Sequence, residues 1–498
     1  MPYSIDIHCH PSLKPYGRSF STSTPRKNTK DRSKRHSLWH YDPPQGLDIP
    51  LQKLIGMTTF SQSDFSALAY GNVRIVCASI YCVEDGLVNY NTLGTGELTD
   101  FFANLVSGIG RDRINFLQSN KDYFNELVNE YQYYKDLDGE IIPFKDDIKR
   151  KYVLVKNYSD LEEKMRKNEA DPGIETIFVI ITFEGAHHLF NSKDHIQSND
   201  LITHEAEILQ NITTIKSWDH RPFFITFGHH FYNGLCGHAE SLRDFIQDLL
   251  TNQEPMMNTP MNDLGFKLVE ALLDDTGGKR IHIDMKHMSY LTRIGYIRYL
   301  KTRYPDEYAA KKLPLIVSHG ACNGLSSKEN PVYHPGLEGT SKNMYVGDIN
   351  FYDVEILEIA RSGGIIGLQF DERRIGSKQY IKSLRKLFAS RTERRHSNSK
   401  LLWNNIQHIV QLLDAHNLFA WDCIAIGTDN DGLIDPINLF WTAEDMDDMI
   451  QYIERHAYNF LSDPSTAFNV AANKITAAEA VQRIFQGNSF EFIKRYFR

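Results

Sequence analysis

Five short stretches of the chain gather residue types that bind cations, each at the end of an apolar run: His8-Cys9-His10, Glu184-Gly185-Ala186-His187-His188, Asp284-Met285-Lys286-His287, Ser318-His319-Gly320 and Gly427-Thr428-Asp429-Asn430-Asp431-Gly432. Imidazole and carboxylate are the ordinary ligands of zinc and its neighbours in the first transition row. Alternate residues of a strand point to one face, so His8 and His10 can converge on a single ion. A glutamate closing a run as apolar as 177–183 is costly to bury unless it is paired or bound to a metal. Taken singly, each stretch has an ordinary explanation: a capping aspartate, a core histidine, an Asp-Gly turn. Five of them at strand ends share no such explanation, and the chemistry they share is metal coordination.

The elements that must position them are read from periodicity. Runs rich in Val and Ile at 3–8, 73–79, 177–184, 223–228, 281–285, 315–318, 364–370 and 423–428 have the length and composition of buried parallel strands. Helical patterns separate them, among them 264–273 and 352–361. Eight strands alternating with helices fit a (β/α)8 TIM-like barrel, whose catalytic face lies at the C-terminal strand ends. The 498 residues then form a single barrel, its strand ends suited to holding metal, with insertions after strands 1 and 2. Residues 11–45 are rich in Ser, Thr, Pro and basic residues and read as a mobile basic loop, or alternatively a lid. Residues 86–150 read as a partly helical insertion, with 116–135 its most helical part, and the charged stretch 391–400 reads as an exposed loop.

A net charge of −8 argues against a nucleic-acid-binding protein. No run of eighteen apolar residues is present, so no membrane span is expected. The N-terminus lacks the basic and apolar regions of a signal peptide. The chain therefore reads as cytoplasmic as written, or as secreted or periplasmic if a leader has been removed. The six cysteines form no CxxC pair and several sit in apolar runs, so reduced core thiols are expected. The expected partner is a small-molecule substrate, and homodimerisation is left open.

Ordered along the chain, these patches resemble the amidohydrolase superfamily and, more closely, the membrane (renal) dipeptidase family of metallopeptidases. Beside the five stretches, Ser61-Gln62-Ser63-Asp64-Phe65 is similar to that family's entry to strand 2. His229-His230-Phe231-Tyr232-Asn233-Gly234-Leu235 is similar to its segment after strand 4, and Asn262-Asp263-Leu264-Gly265 to the helix before its strand 5. The resemblance implies one metal on His8, His10, Glu184 and Asp429 and a second on Glu184, His287 and His319, with Glu184 bridging. Two divalent cations, zinc first with manganese, iron or cobalt as alternatives, would share a hydroxide and polarise a scissile amide carbonyl. Asp429 would carry the proton. His229 would stabilise the tetrahedral oxyanion, with adjacent His230 as its rival. Asn233 would contact substrate. A hydrolase of another ester, amide or phosphoester is the alternative, and a non-catalytic binding descendant a further one.

Two departures stand out. Strand 1 carries HxH where the dipeptidases carry HxD, which makes the site more positive by about one charge. Ile349 stands where the family's Arg-Asn-x-x-Asp motif places the arginine that holds a substrate carboxylate. Dipeptides with free C-termini are therefore expected to be poor substrates, unless Arg373, Arg374 or the cations of 11–45 take over that role.

Overall fold

Each of the eight apolar runs becomes a strand: β1 (Ser4–Cys9), β2 (Val73–Ile80), β3 (Ile174–Glu184), β4 (Phe224–Thr226), β5 (His282–Asp284), β6 (Ile316–Gly320), β7 (Ile365–Leu368) and β8 (Ile424–Ile426). The computed structural model describes residues 3–21, 26–89, 96–120, 122–144, 148–196, 201–242, 251–385 and 389–498. Every strand pairs in parallel with the next in sequence. The ring is joined between its first and last members, where Cys9 and Asn430 form a parallel bridge and Asp429 N donates to His8 O at 2.9 Å. This is the expected (β/α)8 barrel. An additional hairpin, Ile142–Pro143 with Lys149–Leu154, extends the sheet alongside the first half of β3.

The interior of the barrel is packed rather than open. Ile5, Ile7, Ile75, Cys77, Phe178 and Ile180 form one buried cluster with Phe492, Ile493 and Tyr496, three residues of the helix Asn488–Tyr496. That helix is fastened by Asn488, whose Nδ2 donates to Trp421 O and Ile424 O at 2.6 and 2.7 Å. Burial of both faces explains why the strands read as continuous apolar runs rather than alternating ones.

The insertion 11–45 is not uniformly solvated. Its first part is the helix Leu13–Arg18, and the side chain of Lys14 is buried on Asp431 Oδ1 at 2.7 Å and Thr58 Oγ1 at 3.1 Å. Arg18 is buried on Asp42 at 2.9 Å, whereas Lys34 and Arg35 are exposed; residues 22–25 lie outside the described residues. Within 86–150 the helices are Glu97–Ser107, Arg111–Ser119 and Tyr123–Lys135.

The stretch 391–400 is not a loop. It opens the 25-residue helix Arg391–Ala415, started by a capping box between Ser390 and Glu393. One of its charges is held by distant partners, Arg395 pairing with Asp445 at 2.6 Å and also with Asp448, while Arg391, Arg394 and Lys400 are exposed. Among the described residues no helix is long and apolar enough to cross a membrane, and all six cysteines are buried and unpaired.

Candidate metal centre

Strand parity alone would aim the wrong residues at the barrel axis. Ile5 and Ile7 belong to the interior cluster, so strict alternation would turn Cys9 inward. A register shift between Asp6 and Cys9 reverses this: Cys9 packs in the outer core, and His8 and His10 meet inside. β6 repeats the device. Ile316 is interior and Val317 exterior, and a shift between Val317 and Gly320 brings His319 to the same point. Irregularities of this kind re-aim side chains beside active sites.

Two buried carboxylates lace the strands together there. Asp6 accepts from His8 N, Thr428 N and Thr428 Oγ1 at 3.1, 3.0 and 2.6 Å. Asp284 accepts from Lys286 N, Ser318 N, Thr226 Oγ1 and Ser318 Oγ at 3.0, 3.0, 2.5 and 2.5 Å. His287 and Asp429 sit in left-handed backbone, with φ of 64° and 61°, a conformation that costs free energy outside glycine and persists where surroundings enforce it. Gly432 makes room for the second of these turns, since a Cβ there would lie 1.9 Å from Asp429 Oδ1.

The five other expected ligands converge on Glu184. Its Oε2 is 3.0 Å from His10 Nε2, and its Oε1 is 3.5, 3.4 and 3.3 Å from Nε2 of His8, His287 and His319. His8 and His10 are 3.2 Å apart at Nε2, and His287 and His319 3.1 Å. Asp429 Oδ1 stands 3.8 and 3.5 Å from His8 and His10. Ligand bonds of about 2.0–2.1 Å place the donors of a tetrahedral ion about 3.4 Å apart, which is the spacing seen. Glu184 Oε1 is buried and accepts no hydrogen bond from the described residues, an orphaned charge of the kind a cation satisfies. The donor set thus fits divalent metal: His8, His10, Glu184 and Asp429 form one group, and Glu184, His287 and His319 another.

Electrostatics divide the set. Burial opposes charge on His10, but Glu184 and Asp429 outweigh it and push the pKa up to about 10. Burial likewise opposes ionisation of Glu184, yet His229, His8 and His10 hold it well below the usual carboxylate range. Burial, with Glu184 beside it, raises Asp429. His287 and His319 are driven well below 6.5, mainly by burial, so both are neutral and ready to coordinate.

His229 is the member of the adjacent pair that reaches Glu184, with Nε2 at 3.5 Å from Oε2. Its Nδ1 lies 2.5 Å from Glu84 Oε2. Burial opposes its protonation, but Glu84 and then Glu184 push its pKa up to about 9. His230 instead bonds Ser241 Oγ through Nδ1 at 2.8 Å and lines the cleft above the centre. It also groups with His229 and His287 as a third set of donors close enough to share an ion.

Asn233 stands apart from this constellation. Its Nδ2 donates to Phe227 O and its Oδ1 accepts from Leu235 N and Cys236 N, so its amide organises its own loop. Asp431 is committed to Lys14, Gln62 and Ser63. Ile349 lines the cleft beside His287 and Asp429, while Arg373 is bound to Asp371 at 2.9 and 2.8 Å.

Two residues at the centre carry no sequence signal of their own. Glu84 follows β2 in a stretch without motif, and its partner His229 is 145 positions away. Lys286 lies inside the stretch ending at His287 but reads there as a spacer. Its side chain lines the cleft, where burial lowers its pKa to about 8.

No protein-family model and no curated protein matches the chain. Among solved structures it is similar to a metallopeptidase dipeptidase, at 11% identity over 99% of this chain and 98% of that one, TM-score 0.47. It is similar to the probable dipeptidase PvdM from Pseudomonas aeruginosa, at 13% identity over 99% and 94%, TM-score 0.47. A metallopeptidase from Rhodobacter sphaeroides, liganded with a phosphinate mimic of the dipeptide L-Ala-D-Ala, aligns at 12% identity over 88% and 90%, TM-score 0.43.

Proposed function

We propose that this protein is a binuclear metal-dependent hydrolase of the membrane-dipeptidase type, cleaving an amide bond in a small substrate. The observation that carries this reading is the convergence of four imidazoles and the Asp429 carboxylate on Glu184, whose Oε1 lacks any hydrogen-bond donor among the described residues. A pair of divalent cations held there would make water nucleophilic at neutral pH and polarise a carbonyl. The chain's own residues do the rest. Asp429, raised in pKa by burial and the most exposed of the two carboxylate ligands, at 11% against 3% for Glu184, accepts the proton of the attacking water and returns it to the leaving amine. His229, charged and held by Glu84, presents Nε2–H to the developing oxyanion.

Metal analysis, with a hydrolysis screen over dipeptides, acylated amino acids and phosphoesters, tests this directly. About two metals per chain and chelator-sensitive amide turnover are expected. Asp429→Asn should cut turnover by roughly 10²–10⁴ while retaining metal, and Asp431→Asn much less. Well-folded native protein that takes up no metal under replete conditions would sink the proposal, and turnover of phosphoesters alone would redirect it.

A further inference from the structure

A second meeting of imidazoles and carboxylate lies on the segment that leaves β3, and it shares no member with the group around Glu184. His195 stands in the short helix Lys193–Ile196, His204 caps the helix Glu205–Lys216, and Glu207 lies in that helix's first turn. One ligand atom from each lies within 4.8 Å of the others, and all three residues are partly exposed. The hydrolytic steps use none of them.

The local structure assembles these atoms at the expense of the helix start. An N-cap is ordinarily Ser, Thr, Asp or Asn, whose oxygen takes up a free N–H, and a glutamate three residues on reaches back to the cap backbone. Here the cap is His204, whose side chain makes no capping bond. Glu207 turns away from the cap: its Oε1 accepts from Asn191 N at 3.1 Å and lies 3.2 Å from His195 Nδ1. The His195 and His204 rings stack with centroids 3.7 Å apart and planes 9° from parallel. Asn211 fastens the base of the loop, its Nδ2 donating to Leu189 O and Asn191 Oδ1 at 3.0 and 2.8 Å. An ordinary pair between His195 and Glu207 accounts for one imidazole and leaves the other. Among the described residues the His204 side chain makes no hydrogen bond or ion pair, and Glu207 Oε2 receives no donor.

We propose that His195, His204 and Glu207 bind a further divalent cation, zinc in the first instance, which holds the loop after β3 in place and takes no part in the reaction. Two imidazoles and a carboxylate are a common zinc set and leave the fourth position to water. His204 and Glu207, three apart, share one helix face, and His195 approaches from the preceding turn, so the ion cross-links 195 to 207. The loop bears on the catalytic side of the barrel: Lys193 pairs with Asp85, the neighbour of the Glu84 that holds His229. Because its ligands are partly exposed, this ion exchanges readily, and dialysis removes it under conditions that leave the buried centre loaded.

The test is equilibrium dialysis of the full chain against buffered zinc, comparing native protein with His195→Ala, His204→Ala and Glu207→Gln. The difference between proteins is the reading, so whatever occupies the Glu184 group drops out. Native protein should take up one zinc more than each variant, or bind that ion about 100-fold more tightly, since even the outer partners of a ligand are worth about 10–100-fold. His204→Cys, which offers a thiolate to the same ion, should keep it. Trypsin gives the second readout: zinc should slow cleavage after Lys193 in native protein and in His204→Cys, and leave it unchanged in His204→Ala. Equal uptake by native protein and all three variants overturns the site. Loss in the histidine variants with full uptake by Glu207→Gln reduces it to a surface histidine pair and overturns it as well. Uptake that never alters cleavage overturns its role in holding the loop. All these outcomes leave the hydrolase reading untouched.

Discussion

Among the buried clusters of charge in the barrel, two are built on opposite principles. Around Arg293 every donor has an acceptor. Its Nε and one terminal nitrogen grip Glu355 at 2.6 and 3.0 Å, and the remaining donors reach Met288 O, Asp348 O and Asn350 O. Around Glu184 the donors face one another, an oxygen is left without a partner, and two neighbouring backbone positions are strained. The first cluster ties the turns after β5 and β6 together and asks for nothing further. The second is incomplete as a piece of protein. Burial of charge therefore does not by itself mark function; burial without internal satisfaction does.

That contrast can be broken by mutation. Glu184→Gln should have the largest effect, removing both metals and cutting turnover by more than about 10⁴, the scale at which a catalytic unit is lost. Metal-free variant should lose only the stability that the Glu184 charge draws from His10 at 3.0 Å and His229 at 3.5 Å. Elemental analysis and paired melting curves read both, and a variant that keeps full metal would dissolve the comparison. Arg293→Met should do the opposite, destabilising by about 3–5 kcal/mol through the charge left on Glu355. The folded fraction should keep metal and kcat. Denaturant unfolding with active-site titration measures this, and a loss of activity without loss of stability would move Arg293 into the catalytic group.

Glu84→Gln should be the smallest of the three. It keeps the shape and an acceptor oxygen for His229 but removes the charge that keeps the imidazole protonated. kcat should fall by roughly 10-fold with KM little changed, and the pH above which activity declines should move downward, since the native pKa near 9 depends on Glu84. An unaltered pH profile would assign Glu84 to loop structure alone.

Much of this was legible because parallel strands buried on both faces write themselves as apolar runs, and because ligand residues must sit at their ends. The eight strands and the five donor-bearing strand ends follow from that, whereas the choice of His8, His10, His287, His319 and Asp429 as the partners of Glu184 is what the resemblance to the dipeptidases implies. What the sequence hid was everything decided by partners far along the chain. Alternation places His8 and His10 on one face but cannot say which, since the register shift before Cys9 has no residue signature. Lys14 and Arg18 look like solvated cations until Asp431 and Asp42 are brought to them. Arg395 looks like its exposed neighbours because its charged partners, Asp445 and Asp448, are fifty positions later. Lys286 is one letter among polar neighbours until β7 supplies Arg374 and Gln369 beside it.

The seam between β8 and β1 has a consequence for biosynthesis. Thr428 donates to Asp6 across 422 positions, and His8 and His10 share their ion group with Asp429. At a synthesis rate of about 5–20 residues per second, the strand bearing HxH waits on the order of 20–80 s for its last neighbour to be made. Through that interval two imidazoles and an apolar strand edge are in the open, beside a nascent chain able to pair with them. The metal centre thus cannot be complete until Asp429, late in the chain, has been made. A cation that binds only the finished ring would select for completed chains.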